Sequence, residues 1–199
     1  ATFISIVSYI FQKSVGMEPY FCNLDPDFEN TLKVYLYKNV LNIEVIRKNI
    51  VNSLWPCAMV KPSLVVSPLQ LAAAANMAVI AERTGSLVTK TVFTEILYNL
   101  SLSKNISQSL SKFGIETEQN ILVCFLETQD VDKSTEILSQ IEGVAVPIND
   151  LGLFTDVKSV KATYKLNNVK CDYELLDIII SRMTTKKFVT YYNLGLNPS

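Results

Sequence analysis

Residues 67–85 have the sequence SPLQLAAAANMAVIAERTG, which is the clearest helix signal in the chain. Ser67 can cap the helix, Pro68 suits its first turn, and Gln70 would complete a capping box with Ser67. Gly85 fits the position that follows a helix C-terminus. Residues 72–75 are all alanine, so almost no side-chain bulk covers that turn. We therefore expect a second element, a helix, to pack closely against it.

The flanking sequence alternates between strand and helix patterns. An unbroken apolar run at 121–126 predicts a strand that is buried on both faces, and the alternation of apolar residues with tyrosine at 31–38 predicts another strand. A short strand is expected at 144–148, where Pro147 favours a sheet edge. Apolar residues spaced by three and four, together with capping residues such as Asn105, predict the remaining helices. These lie at 42–54, 92–100, 105–113, 134–141, 156–164 and 172–186.

The last predicted helix, 172–186, carries apolar residues over more than one stripe of its surface. A surface helix needs only one apolar face. Two interpretations follow, and the sequence does not decide between them. The helix is fully buried in the core, or it shares its second face with another protein.

Composition is typical of a globular protein with one domain. The chain has 199 residues, of which 49% are hydrophobic and 19% charged, and its formal net charge is −1. No strong global attraction to nucleic acid follows from that charge, so any basic site is local. The four cysteines are far apart in sequence, which favours reduced thiols and a reducing compartment. The apolar segment 1–16 is shorter than a membrane span and is treated as an extension. The competing hypothesis is a membrane adaptor anchored by residues 2–11.

The sequence contains no histidine and only six glycines. It therefore lacks the commonest general base and zinc ligand, and no glycine-rich phosphate loop can be formed. We predict no catalytic residue, no metal and no cofactor. An enzyme that uses only carboxylates remains the alternative. The acidic cluster Glu127, Asp130, Asp132 and Glu136 matches no calcium loop, and we interpret it as a solvated strand end and helix start.

Charge is distributed unevenly along the chain. Residues 83–114 contain four basic residues and one acid, a net charge of +3, whereas residues 116–142 contain seven acids and one lysine, a net charge of −6. If the first segment forms one surface, a phosphate backbone can bind there. The alternative is that both segments are ordinary solvated faces.

An ordered set of motifs supplies a family resemblance. These are KPxxVVxPxQL at 61–71, AAANxA at 73–78, NISxxLxKFGI at 105–115 and LLDxIIxRMxTK at 175–186. Together they resemble the family of PRPK-binding proteins, over roughly residues 17–186. No single motif is diagnostic, but the ordered set is specific.

The resemblance implies a non-catalytic subunit of the KEOPS (EKC) complex, which installs threonylcarbamoyl-adenosine in tRNA. Such a subunit binds the PRPK-like atypical kinase, which works chiefly as an ATPase, and modulates it. Other KEOPS subunits are then indirect partners, and archaeal relatives bind the single-stranded 3′ end of tRNA. The implied fold is α/β (α+β), a single compact domain with a mostly antiparallel sheet flanked by helices. We place this domain at 17–187, with a tail at 188–199, and expect it in cytoplasm and nucleus without membrane contact.

Two sets of candidate site residues follow. The two-faced last helix suggests the kinase contact, with Leu175, Leu176, Ile179, Arg182 and Met183 as its residues. The +3 segment suggests the tRNA contact, because single-stranded RNA needs cations for phosphates and apolar platforms for bases. Its predicted residues are Lys90, Lys104, Asn105, Ile106, Lys112 and Phe113. Two alternatives stay open: Phe113 is a core residue, or the chain binds only the kinase.

Overall fold

The computed structural model describes residues 18–24, 30–127, 134–167 and 174–186. Predictions for residues 1–16, 188–199, Asp130 and Asp132, and for the start of the last helix at 172–173, lie outside this range. The described residues fall into two compact units. The sheet unit comprises those within Ala1–Pro62 and Ile115–Phe154, and the helical unit those within Ser63–Gly114 and Thr155–Ser199. The single domain predicted over 17–187 stays a prediction.

The sheet unit contains five strands in one antiparallel sheet. Their order is β1-β2-β4-β3, and β5 also pairs with β2. The strands are β1 (Tyr20–Asn23), β2 (Thr31–Lys38), β3 (Ala58–Val60), β4 (Ile121–Glu127) and β5 (Val144–Val146). The mixed α and β fold with an antiparallel sheet is thus confirmed.

The long strands β2 and β4 form the centre of this sheet, because each is apolar over most of its length. They pair from Thr31 with Glu127 through Tyr37 with Ile121. The other edge of β2 is shared: β1 pairs with its first half and β5 with its second half. Strand β5 ends before Pro147, which agrees with the expected edge position, because proline cannot donate a ladder hydrogen bond.

One face of the sheet packs against α1 (Ile43–Val51) and α5 (Ser134–Ser139). Helix α1 contributes Ile43 and Ile46 to this core. It is shorter than the predicted 42–54, since Ser53 has a φ of 57° and ends the helical backbone. A short 3₁₀ helix, Ile148–Leu153, follows β5 along the chain.

The helical unit contains α2 (Pro68–Arg83), α3 (Val92–Leu100), α4 (Ile106–Phe113), α6 (Val157–Thr163) and α7 (Leu175–Thr185). A 3₁₀ turn at Pro62–Leu64 precedes α2. Ser67 caps α2 as predicted, because its hydroxyl accepts a hydrogen bond from the Leu69 amide at 3.3 Å. Gly85 follows the helix with a φ of 64°, and the Ser86 amide donates to the Ala81 carbonyl at 2.8 Å.

The predicted capping box at α2 is wrong. The Gln70 side-chain oxygen Oε1 accepts a hydrogen bond from the Val66 amide at 3.0 Å instead of from the Ser67 amide. Its amide nitrogen donates to the Tyr164 hydroxyl at 2.8 Å and to the Leu64 carbonyl at 3.2 Å. A side chain with no solvent exposure needs partners for all its polar groups, and here a distant tyrosine supplies one.

The close packing expected at the alanine turn is confirmed, since α3 packs against α2. The Asn99 side-chain nitrogen Nδ2 donates to the Ala74 carbonyl at 3.1 Å. Such a short side chain reaches this carbonyl only if α2 and α3 approach closely. Asn99 is therefore a buried residue that joins the two helices. Among the described helices, none is long and apolar enough to cross a membrane.

Candidate functional site

Helix α7 presents one buried face to the rest of the helical unit. Leu175, Ile179 and Met183 recur every four residues and are at most 3% exposed. Residues at this spacing lie on one face of a helix, and α7 packs against α2 and α3. These three members of the predicted kinase set are core residues. Their side chains are covered within the unit, and their predicted role in kinase binding stays a prediction.

Arg182, another member of that set, makes an internal contact. Its Nη1 donates to the Tyr164 carbonyl oxygen at 2.6 Å and to the Lys165 carbonyl oxygen at 3.3 Å. Both carbonyls lie just beyond the C-terminus of α6, where backbone acceptors lack helical partners. Arg182 thus supplies donors to the carbonyl oxygens that follow α6.

The other side of α7 is more open. Leu176, Ile178 and Ile180 are half-buried, while Asp177 and Ser181 are exposed. Of the predicted kinase residues, only Leu176 combines an apolar side chain with this partial exposure. A kinase contact through α7 stays a prediction, and the accessible apolar side chains on which it can rest are Leu176, Ile178 and Ile180.

The predicted tRNA residues divide between surface and core. The three lysines of the set, together with Asn105 and Ile106, are exposed, and Ile106 retains 38% of its accessible area. Asn105 caps α4 as predicted, since its side-chain oxygen accepts from the Gln108 amide at 2.9 Å. Phe113 has no exposure, and its ring lies 6.2 Å from that of Tyr164. This burial agrees with the alternative of a core residue, and a role for Phe113 as a platform for bases stays a prediction.

A cavity of about 190 Å³ lies between α2, α3 and α7 within the helical unit. Its apolar wall includes Met77, Ile80 and Met183, and its polar groups include Ser86 and Thr184. Lys186, Tyr98, Asn99 and Ala81 complete the lining. With this volume the cavity is smaller than most small-molecule sites, which occupy roughly 300–1,000 Å³.

Lys186 supplies the positive charge of this cavity. It is only 6% exposed, and its Nζ donates to the Tyr98 carbonyl oxygen at 2.7 Å. The same nitrogen lies 3.2 Å from the centroid of the Tyr98 ring. The negative face of the ring and the carbonyl dipole together stabilise an ammonium group that has lost most of its water. Burial, and secondarily the negative charge of Glu95, raise the pKa of Tyr98.

Sequence reasoning missed both Lys186 and Tyr98. A lysine at the end of a helix is usually solvated, so nothing in the local pattern indicated that it would be buried. The one sequence feature that singled out Lys186 was its place as the last residue of the motif at 175–186. Tyr98 lies on the apolar α3 and could equally have been ordinary core.

The acidic cluster predicted as solvated is described only in part. Glu127 forms an ion pair with Lys33, and Glu136 is exposed on α5. Within the described ranges, no group of three or more metal-ligating side chains is found.

Comparison with known proteins shows the family. A family model described as kinase binding protein CGI-121 matches residues 37–187, so the chain belongs to that family. The EKC/KEOPS complex subunit TPRKB of Danio rerio is 32% identical over 165 residues, which cover 79% of this chain and 92% of that protein. The EKC/KEOPS complex subunit CGI121 of Gibberella zeae is 32% identical over 154 residues, 69% of this chain and 78% of that protein. The EKC/KEOPS complex subunit cgi121 of Schizosaccharomyces pombe is 24% identical over 160 residues, which cover 77% of this chain and 92% of that protein.

Proposed function

We propose that this chain is a non-catalytic subunit of an EKC/KEOPS complex, which binds and modulates the kinase of that complex and helps to engage tRNA. The observation that carries the proposal is the family match over residues 37–187, together with relatives that bear the name of this complex. The absence of histidine from the sequence supports a role through partners instead of catalysis.

The half-buried face of α7 is the proposed kinase contact. Leu176 and Ile180 are four residues apart and lie on one stripe, whereas Ile178, two residues from each of them, lies on the opposite flank of the buried face. Covering such side chains removes apolar area from water, which favours association and offsets part of the freedom that the two partners lose. A helix face with a few large apolar side chains is also a common way to bind a groove on another protein.

Co-purification with the kinase tests this contact. The double variant Leu176→Glu/Ile180→Glu should lose the kinase, because two carboxylates would have to be desolvated in the interface. Val51→Glu, at an exposed apolar position on α1, is the matched control and should retain it. Circular dichroism must show that both proteins are folded. Undiminished kinase binding by a folded double variant would exclude this face of α7 as the contact.

The exposed lysines and the cavity support the proposed tRNA contact. Lys104, Asn105 and Ile106 adjoin at the start of α4, so a cation for phosphate and an apolar side chain for a base are neighbours. Lys90 precedes α3, and α3 packs against α4. Lys186 lines the cavity and adds a positive charge of the kind that a phosphate group binds.

Charge reversal tests the tRNA contact. Lys90→Glu/Lys104→Glu should weaken binding of a transcribed tRNA and lower the slope of log affinity against log salt by about 1.4, which corresponds to two phosphate contacts on a single strand. Arg47→Glu/Lys48→Glu, on exposed positions of α1, changes the net charge equally and should have a much smaller effect. If both variants bind tRNA like the unmodified chain, the alternative of an adaptor that binds only the kinase is supported.

A further inference from the structure

The segment from Thr84 to Thr91 joins α2 to α3 and is fixed at both of its ends. At the first end, the Thr84 and Ser86 hydroxyls are hydrogen-bonded at 2.8 Å, and Ser86 also lines the cavity. At the other end, Thr91 and Thr94 form a reciprocal capping box at the start of α3. Lys90 lies between these two ends and is exposed.

Glu95 fixes the middle of this segment. Its Oε2 accepts hydrogen bonds from the Val88 amide at 3.1 Å, the Thr89 amide at 2.8 Å and the Thr89 hydroxyl at 2.8 Å. The side chain has no solvent exposure, and its Oε1 has no hydrogen-bond partner among the described residues. Three hydrogen bonds that converge on one side-chain oxygen hold this part of the segment to α3.

We infer that Glu95 is a positioning residue for RNA binding: it holds the backbone at Val88 and Thr89, and thereby fixes the part of the chain from which the exposed Lys90 side chain extends. This inference rests on the tRNA contact of the proposed function. A cation that is held in place before binding loses less conformational freedom when it meets a phosphate than one on a free loop. Glu95 itself does not contact the RNA.

The effect of removing the Glu95 carboxyl group on RNA affinity tests the inference. A carboxylate near an RNA-binding surface repels phosphate, so its removal should tighten RNA binding if electrostatics alone matter. If Glu95 acts by holding Lys90, its removal should weaken RNA binding instead. The two explanations therefore predict opposite changes for the isosteric variant Glu95→Gln.

The experiment measures binding of a transcribed tRNA to the full chain, together with amide hydrogen exchange. Glu95→Gln should speed exchange at Val88 and Thr89 and weaken tRNA binding about threefold, a size typical of coupled neighbours. Thr89→Val removes the hydroxyl that contacts Glu95, together with its hydrogen bonds to Thr91 and Thr94, but it keeps the charge and both amide donors to Glu95, and it should weaken binding by less. In a Lys90→Ala background, Glu95→Gln should have almost no further effect on affinity.

Glu82→Gln is the matched control, because Glu82 is exposed on the last turn of α2 and its removal changes the charge equally. It should leave tRNA affinity unchanged or slightly higher. Unchanged or tighter tRNA binding by Glu95→Gln overturns the inference and leaves the proposed function standing. An equal loss with and without Lys90 also overturns it, since Glu95 would then act through general stability. Failure of the unmodified chain to bind tRNA overturns the tRNA part of the proposed function, and the inference with it.

Discussion

The Lys186 ammonium nitrogen lies 3.2 Å from the centroid of the Tyr98 ring and 2.7 Å from the carbonyl oxygen of the same residue. That carbonyl also accepts a hydrogen bond from the Ser101 amide at 3.2 Å, so it does not depend on the lysine for a partner. A buried charge is expensive unless it is compensated, and its net contribution to stability is often near zero. The placement of this charge in a cavity wall therefore suggests a role in binding.

The first prediction concerns Lys186→Met, which keeps an apolar stem and removes the charge. Chemical denaturation should show a change in the free energy of unfolding within about 1 kcal/mol, because Ser101 still satisfies the Tyr98 carbonyl. Binding of a transcribed tRNA should weaken, and its salt dependence should become shallower, as one phosphate contact is lost. Strong destabilisation together with unchanged tRNA affinity would show that the ammonium group serves the fold.

The second prediction concerns the buried hydroxyl of Tyr164, which donates to the Leu100 carbonyl at 2.7 Å and accepts from the Gln70 amide. Tyr164→Phe leaves the Leu100 carbonyl without this donor and the Gln70 side-chain amide without this acceptor. We expect a loss of about 1–3 kcal/mol in the free energy of unfolding, measured by urea denaturation. Tyr20→Phe, at a half-buried position in the sheet unit, should change stability by less. Equal effects of the two variants would contradict the role of this network.

These contacts show which parts of the structure the sequence could predict. The caps of α2 at Ser67 and Gly85 and the cap of α4 at Asn105 follow from local backbone chemistry, and all three predictions are confirmed. The strand at 121–126 follows equally from a continuous apolar run, because such a run suits the centre of a sheet.

Long-range partners account for what the sequence could not predict. Gln70 has the spacing of a capping box, yet its amide bonds to Tyr164, which is 94 residues away. In the sequence, Arg182 and Lys186 look like ordinary solvated residues near a helix end. In the structure, each donates a hydrogen bond to a backbone carbonyl of another segment. Periodicity alone also could not divide α7 into a buried face and a half-buried face, since six of its residues are apolar.

The third prediction separates these two faces of α7. Ile179 has no exposure, so Ile179→Glu places a carboxylate in the core and should cost several kcal/mol or abolish folding of the helical unit. Leu176→Glu, on the half-buried face, should cost about 1 kcal/mol or less. Urea denaturation of both variants measures the difference. Similar losses would mean that the two faces are equally buried in solution.

The last prediction concerns alkaline pH. Burial, and secondarily the charge of Tyr35, raise the pKa of Tyr37 to about 12 from the ordinary value of about 10. Between these pH values the folded chain retains a proton that the unfolded chain loses, so stability is complete below pH 10 and falls as pH rises toward 12. A shift of two pKa units corresponds to about 3 kcal/mol. Tyr37→Phe should flatten the fall in urea-measured stability, and an equally steep fall in that variant would assign the effect to other groups.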